Sequence, residues 1–316
     1  MEHETRLDPL RGRRQNRVSY RPRVQRPPEP KLTSALQSLI DLLDLEEIEL
    51  NLFRGRSPQE RSQRVFGGQV VGQALVAANR TVEDRRAHSL KGDFLRPGDP
   101  KIPILYEVDR IRDGRSFTTR RVVAIQHGRA IFSMSVSFQV EESGLEHHTP
   151  MPDVPSPDET PDPDQYDQKI REQIPAEHRQ WLDAPQPIES RPVNPIDPIE
   201  PDKRPAHLAV WLRAAGEMPD DDRLHQCVLA YASDMHLLDT CLLPHAVSWM
   251  NPRFQSASLD HSIWFHHRFR TDEWLLFVQD APSATGGRGF NRGLVYTEDG
   301  RLVASVVQEG LIRLHN

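Results

Sequence analysis

The sequence predicts an α+β fold made of two copies of one unit, each a long helix followed by an antiparallel meander of about five strands. Three observations carry that prediction. Short patterns recur at a nearly constant interval: Ser89-Leu90 and Ser258-Leu259 are 169 residues apart, Asp113-Gly-Arg-Ser-Phe117 and Gly286-Gly-Arg-Gly-Phe290 are 173 apart, and His127-Gly128-Arg129 and Asp299-Gly300-Arg301 are 172 apart. Such spacing marks an internal duplication. Each copy is preceded by a run rich in small and apolar residues at helical spacing, and each continues in alternating strand-like runs. A sheet needs one face covered, so two units side by side make one continuous curved sheet around two central helices.

The elements follow in order. Residues 35–43 form a short amphipathic helix with Ser34 available as its N-cap, and Leu52-Phe53-Arg54-Gly55 reads as a turn. Gly67-Gly68 then opens a helix in which Gly72, Ala74, Ala77 and Ala78 permit close packing. Its first backbone N–H groups are a natural receptor for a developing oxyanion. Residues 104–111, 117–126 and 129–140 alternate as strands, with Arg112-Asp113-Gly114-Arg115 and His127-Gly128 as turns. In the second copy, residues 208–213, 258–266, 274–279, 288–296 and 302–308 read as strands, with a hairpin turn at Glu298-Asp299-Gly300.

One helix stands out. From Leu224 to Leu238 an apolar stripe runs through Val228, Tyr231, Met235 and Leu238, and the other faces are mostly apolar as well. Asp234 lies inside it. A buried carboxylate is costly unless it is hydrogen-bonded or its pKa is raised, and a raised pKa beside a groove marks a functional site.

The chain has 316 residues, 37% apolar and 27% charged, with a net charge of −6. The charge is uneven: residues 1–32 sum to +5, residues 141–201 to −11, and the rest to zero. Four regions follow: a disordered basic arm (1–33), a first folded unit (34–141), an acidic Pro-rich connector (142–206) and a second folded unit (207–316) that carries Asp234. A short helix near 165–182, anchored by Trp181, is expected within the connector. No apolar run reaches the length of a membrane span and no secretory signal opens the chain. Cys227 and Cys241 are the only cysteines, which fits a reducing compartment. No HxxxH, HExxH, GK[ST], GxGxxG or GxSxG pattern occurs, so neither a metal, a nucleotide fold nor a serine-hydrolase elbow is expected.

Several longer motifs appear in a fixed order: Phe66-Gly-Gly-Gln-Val-Val-Gly-Gln-Ala74, Phe94-Leu-Arg-Pro-Gly-Asp99, Tyr231-Ala-Ser-Asp234, Leu259-Asp-His-Ser-Ile-Trp-Phe-His266 and Val303-Ala-Ser-Val-Val-Gln-Glu-Gly310. In these the chain closely resembles the acyl-CoA thioesterase II family from about Leu36 to Asn316. The resemblance implies a double-hotdog fold and hydrolysis of fatty acyl-CoA to free fatty acid and CoA. It implies a catalytic set of Asp234, Ser258 and Gln308, with Gly67, Gly68, Gln69 and His88 as candidate substrate contacts. Where the family usually has a second His and an aromatic, this chain reads His88-Ser-Leu-Lys-Gly-Asp93.

In that set Asp234 is the general base or, alternatively, a nucleophile forming an anhydride. Ser258 and Gln308 hold and aim water, and no metal or cofactor is needed. Two rival functions share the fold: a non-catalytic acyl-CoA-binding protein, and an enoyl-CoA hydratase, whose Asp/His pair is poorly served by Asp234 with His236. A cytoplasmic homo-oligomer, dimer or tetramer, with an acyl-CoA substrate and no nucleic-acid partner completes the expectation.

Overall fold

The computed structural model describes residues 33–58, 64–160, 174 and 184–315. The basic arm up to residue 32 and nearly all of the expected 165–182 helix fall outside that set. The chain runs α1 (Ser34–Leu43), β1 (Glu46–Glu49), β2 (Leu52–Gly55), α2 (Gly67–Asn79), β3 (Arg86–Phe94), β4 (Ile104–Asp113), β5 (Phe117–Gln126) and β6 (Arg129–Gln139). Then come β7 (Ile188–Pro192), β8 (His207–Ala214), α3 (Asp222–Ala232), a 3-10 helix (Leu237–His245), β9 (Phe254–Ser258), β10 (Asp260–Phe265), β11 (Leu275–Thr285), β12 (Arg288–Thr297) and β13 (Leu302–Leu314).

The strands form one sheet in the order β1-β2-β4-β5-β6-β3-β10-β13-β12-β11-β8-β7, with β9 beside β13. The order 4-5-6-3 is answered by 10-13-12-11, so the duplication is visible as mirrored halves joined at the β3–β10 seam. That seam is antiparallel, with Ile263 opposite Leu90. Lys91, one of the departures from the family pattern, places its ammonium over the Trp264 ring across it.

The strands alternate as a half-covered antiparallel sheet requires. In β5, Thr118, Arg120, Val122, Ala124 and Gln126 are buried beneath the helices and their neighbours are not. The helices α2 and α3 run antiparallel against each other. Their approach is close because α2 presents glycine: a Cβ at Gly68 would sit 2.3 Å from Tyr231 O, and one at Gly72 3.2 Å from Cys227 O.

Four expectations are corrected. Thr33, not Ser34, caps α1, its hydroxyl accepting from Leu36 N at 3.2 Å. Leu52–Gly55 is strand β2, paired with β4, where Phe53 is buried. The helix expected over 224–238 ends at Ala232; His236 has φ +62°, a left-handed conformation that breaks the helix before the 3-10 turn. The strand expected over 258–266 is broken between β9 and β10: Ser258 opposes Gly310 and Ser262 opposes Val307, so Leu259 and Asp260 share Glu309 as partner. Leu259 N–H donates to Glu309 O at 2.9 Å, and Glu309 N–H donates to the Asp260 carboxylate at 2.7 Å. This is a β-bulge.

The connector is more than a link. Its strand β7 extends the sheet beyond β8. Met151 and Val154 pack on the outer-face cluster of Trp211, Trp274, Leu276 and Tyr296, and Trp211 Nε1 donates to Pro155 O at 2.9 Å.

Candidate active site

Asp234 lies two residues past the end of α3, in a turn that delivers its carboxylate to the start of α2. Phe66, the N-cap of α2, has no side-chain oxygen to offer the first turn. Asp234 supplies it: Gly68 N–H donates to Asp234 Oδ2 at 2.8 Å. A carboxylate from one half thereby caps the helix of the other, where the macrodipole favours negative charge. Gly67 makes room for it, since a Cβ there would stand 2.7 Å from Oδ2 and 3.0 Å from the Phe94 ring.

The second oxygen is held from the sheet. Ser258 Oγ donates to Asp234 Oδ1 at 3.2 Å, and Gln308 Nε2 donates to the same atom. The bulge makes this possible. Ser258 and His261 are three residues apart, which in an unbroken strand puts them on opposite faces. The shared partner at Glu309 brings both to the helix side. The Asp234 side chain is 4% exposed. Burial pushes its pKa up from 3.8 to about 6, against the lowering pull of Gln308, Gly68 and Ser258.

Behind Gln308 sits His261, fully buried, with Nδ1 3.1 Å from Gln308 Nε2 and 3.9 Å from Asp234 Oδ1. Its Nε2 meets Ser233 Oγ at 2.8 Å, and burial drives its pKa down to about 3.

These groups lie at a groove of about 920 Å³. Gly67, Asp234 and Ser258 line it, as do Phe66, Phe94 and Tyr231. Farther along, Leu242 and Leu243 from the 3-10 helix and Val247 and Trp249 just after it line the groove together with Pro192, Ile196 and Pro198 from the connector. A groove of this size and apolar lining suits a long hydrophobic ligand. Arg64 and Arg96 stand on its walls.

The structure brings Asp234, Ser258 and Gln308 together. It departs from the expected roles at four positions. Gln308 is completely buried behind Asp234, so its amide grips the carboxylate rather than facing the groove. The Gly68 N–H is committed to Asp234, which removes it from the oxyanion role. His88 is turned away: it sits at a β3 irregularity, bonds Ser137 Oγ at 2.8 Å and packs edge-on to Phe117. Ser137 alternates with the buried Val136 and Phe138, so this contact lies on the sheet face opposite the helices. Gln69 lines the groove, but its Nε2 is occupied by Arg56 O at 3.0 Å and Ser57 Oγ at 2.9 Å. For His261, in the Asp-His-Ser motif beside Ser258, the sequence allows either a site neighbour or a satisfied structural histidine; the structure places it fully buried against Gln308.

Two helices wrapped by one antiparallel sheet, with a donor-ringed buried carboxylate at an apolar groove, define a double-hotdog protein with a candidate acid–base site. Known proteins make this specific. A family model described as acyl-CoA thioesterase matches residues 184–311, and one for the acyl-CoA thioesterase N-terminal domain matches residues 56–139. Acyl-CoA thioesterase 2 of Haemophilus influenzae is 41% identical over 89% of this chain and 99% of its own length. Human acyl-coenzyme A thioesterase 8 is 42% identical over 91% of this chain and 92% of its own. The crystal structure of an acyl-CoA thioesterase II from Mycobacterium marinum superposes with a TM-score of 0.72 at 43% identity, covering 87% of this chain and 98% of that one. The chain belongs to the acyl-CoA thioesterase family.

Proposed function

We propose that Asp234 is the general base with which this acyl-CoA thioesterase hydrolyses its substrate to a free acid and CoA. The observation that carries the reading is one carboxylate, buried enough to bring its pKa to about 6 yet open to the apolar groove. Such a group is ionised at neutral pH and basic enough to take a proton, a role worth roughly 10²–10⁴ in rate.

Oδ1 already accepts from Ser258 and Gln308, whereas among the described residues Oδ2 accepts from Gly68 N–H. Oδ2 therefore keeps a lone pair for water. As water attacks the thioester carbon, its proton passes to Oδ2 and the carbonyl oxygen becomes an oxyanion. The positive end of α2, through Gly67 N–H at the groove wall, receives that charge. The C–S bond then breaks, the acid is released, and the proton held by Asp234 passes to the departing thiolate of CoA. Ser258 and Gln308 keep the carboxylate aimed throughout. The acyl chain lies among Leu242, Leu243, Val247 and the connector prolines, and the CoA phosphates meet Arg64 and Arg96. The buried thiols of Cys227 and Cys241 fit the reducing cytoplasm, and exposed Ile48 and Leu50 on the edge hairpin support association into a homo-oligomer.

The test is thiol release from acyl-CoAs of graded length by the wild type and Asp234→Asn. Release that falls at least 100-fold in the variant, with a cooperative thermal transition retained, supports the base. A variant as active as the wild type refutes it.

A further inference from the structure

We propose that His261 is a positioning residue for hydrolysis, a neutral hydrogen-bond acceptor that locks the Gln308 amide onto the Asp234 carboxylate. The inference rests on the reading of Asp234 as base and adds a residue to that machinery.

The hydrogen count along one chain of contacts carries it. Gln308 Nε2 has two hydrogens and two acceptors in reach, Asp234 Oδ1 and His261 Nδ1, the latter at 3.1 Å. Turned over, the amide would set its oxygen against a carboxylate oxygen. Nδ1 must then be unprotonated, and the proton sits on Nε2, which donates to Ser233 Oγ at 2.8 Å. Ser233 passes its own proton to Ala230 O at 3.1 Å, at the end of α3. Every proton in the relay has a place with His261 neutral. An imidazolium would confront the amide N–H groups with a third donor. Complete burial keeps the ring neutral at physiological pH, even with Asp234 3.9 Å away. The register supports the contact: His261 and Gln308 face each other on β10 and β13, both toward the helices.

The experiment divides the imidazole in two. His261→Asn keeps an oxygen near the Nδ1 position, and His261→Gln keeps a polar atom near Nε2 while losing the acceptor for Gln308. Thiol release is measured against pH for both. With Gln308 freed, Asp234 loses part of a charge-assisted bond, so the acid limb of kcat should rise by about 0.5–1 pH unit. His261→Gln is expected to lose roughly 10- to 100-fold in kcat with KM within about twofold, and His261→Asn to stay within about fivefold with an unmoved limb. Equal behaviour of the two variants, both lost or both active, overturns the proposal. Should His261→Gln fail to fold, Ser233→Ala frees the tautomer and is expected to raise the acid limb in the same sense; an unmoved limb overturns it. The imidazole ¹⁵N resonances of the wild type supply a variant-free check. They are expected to report Nε2–H between pH 5 and 8, and an Nδ1–H or doubly protonated ring overturns the assignment. Failure of the base itself reads differently: Asp234→Asn would then remain active.

Discussion

The two ends of the central helix pair started as copies and now carry opposite chemistry. At one end, α2 begins without a cap of its own and takes the Asp234 carboxylate from beyond α3. At the other, α3 caps itself: Asp221 accepts from Arg223 N at 2.9 Å and Leu224 N at 3.3 Å. The position two residues past α2 is Thr81, and in place of a carboxylate's donors it meets Arg120. That guanidinium is buried and bonds Thr81 Oγ1 at 2.9 Å, Thr81 O at 3.1 Å and Asp113 at 2.6 Å. Arg223 adds a second cation there, 3.4 Å from Asn79 O at the end of α2 and 3.2 Å from Arg85 O in the loop that follows. One end therefore holds a carboxylate at a helix N-terminus, and the other holds cations at a helix C-terminus, where the dipole welcomes them. A missing local cap left room for chemistry; a filled one was turned to stability.

That contrast can be broken in several places. Asp234→Asn should abolish most activity and also stabilise the protein at alkaline pH. The folded pKa of Asp234 is above its unfolded value, so its favourable contribution is present below about pH 4 and is lost as pH rises through about 6. Moving from 3.8 to about 6 penalises the charged form by about 3 kcal/mol. The melting temperature of the Asn variant should exceed that of the wild type at pH 8, with the gap closing toward pH 4. Arg120→Met should do the reverse, losing about 2–4 kcal/mol by denaturant titration while kcat per folded molecule is unchanged. Gly67→Ala drives a methyl into Oδ2 and Phe94; an activity loss larger than its stability loss of about 1–3 kcal/mol would place the strain at the carboxylate. The same reasoning requires kcat/KM to fall on acidification with an apparent pKa near 6, as Asp234 takes up its proton. A profile flat down to pH 5 would contradict it. The smallest effect belongs to His88→Gln, on the far face of the sheet, which should leave kcat/KM within about twofold.

Much of this was legible in the sequence because it depends on local pattern. The recurrence at 169–173 residues and the alternation in β5 and β6 specify the duplicated sheet. The small residues of α2 announce the close helix contact. What escaped depends on single-residue events with long-range causes. The helix α3 ends at Ala232, and the turn that follows carries Asp234 on to a left-handed His236, a change of direction that no apolar period announces. The bulge at Leu259–Asp260 is invisible to a period of two, and without it Ser258 points the wrong way. Strand β7 lies in a Pro-rich stretch that reads as linker; it is an edge strand, where Pro192 can sit without interrupting a central ladder. His88 misled because the motif locates it near the groove in sequence, whereas the β3 irregularity turns it to the opposite face.

The bond between Gly68 and Asp234 spans 166 residues of sequence. It has a consequence for how the molecule comes into being. Neither half holds a complete site, and the uncapped start of α2 waits for a residue made much later during synthesis. On the proposed mechanism, hydrolytic competence arrives with the docking of the halves, because the start of α2 belongs to one and Asp234 to the other. Turnover then serves as a report that the two halves are joined.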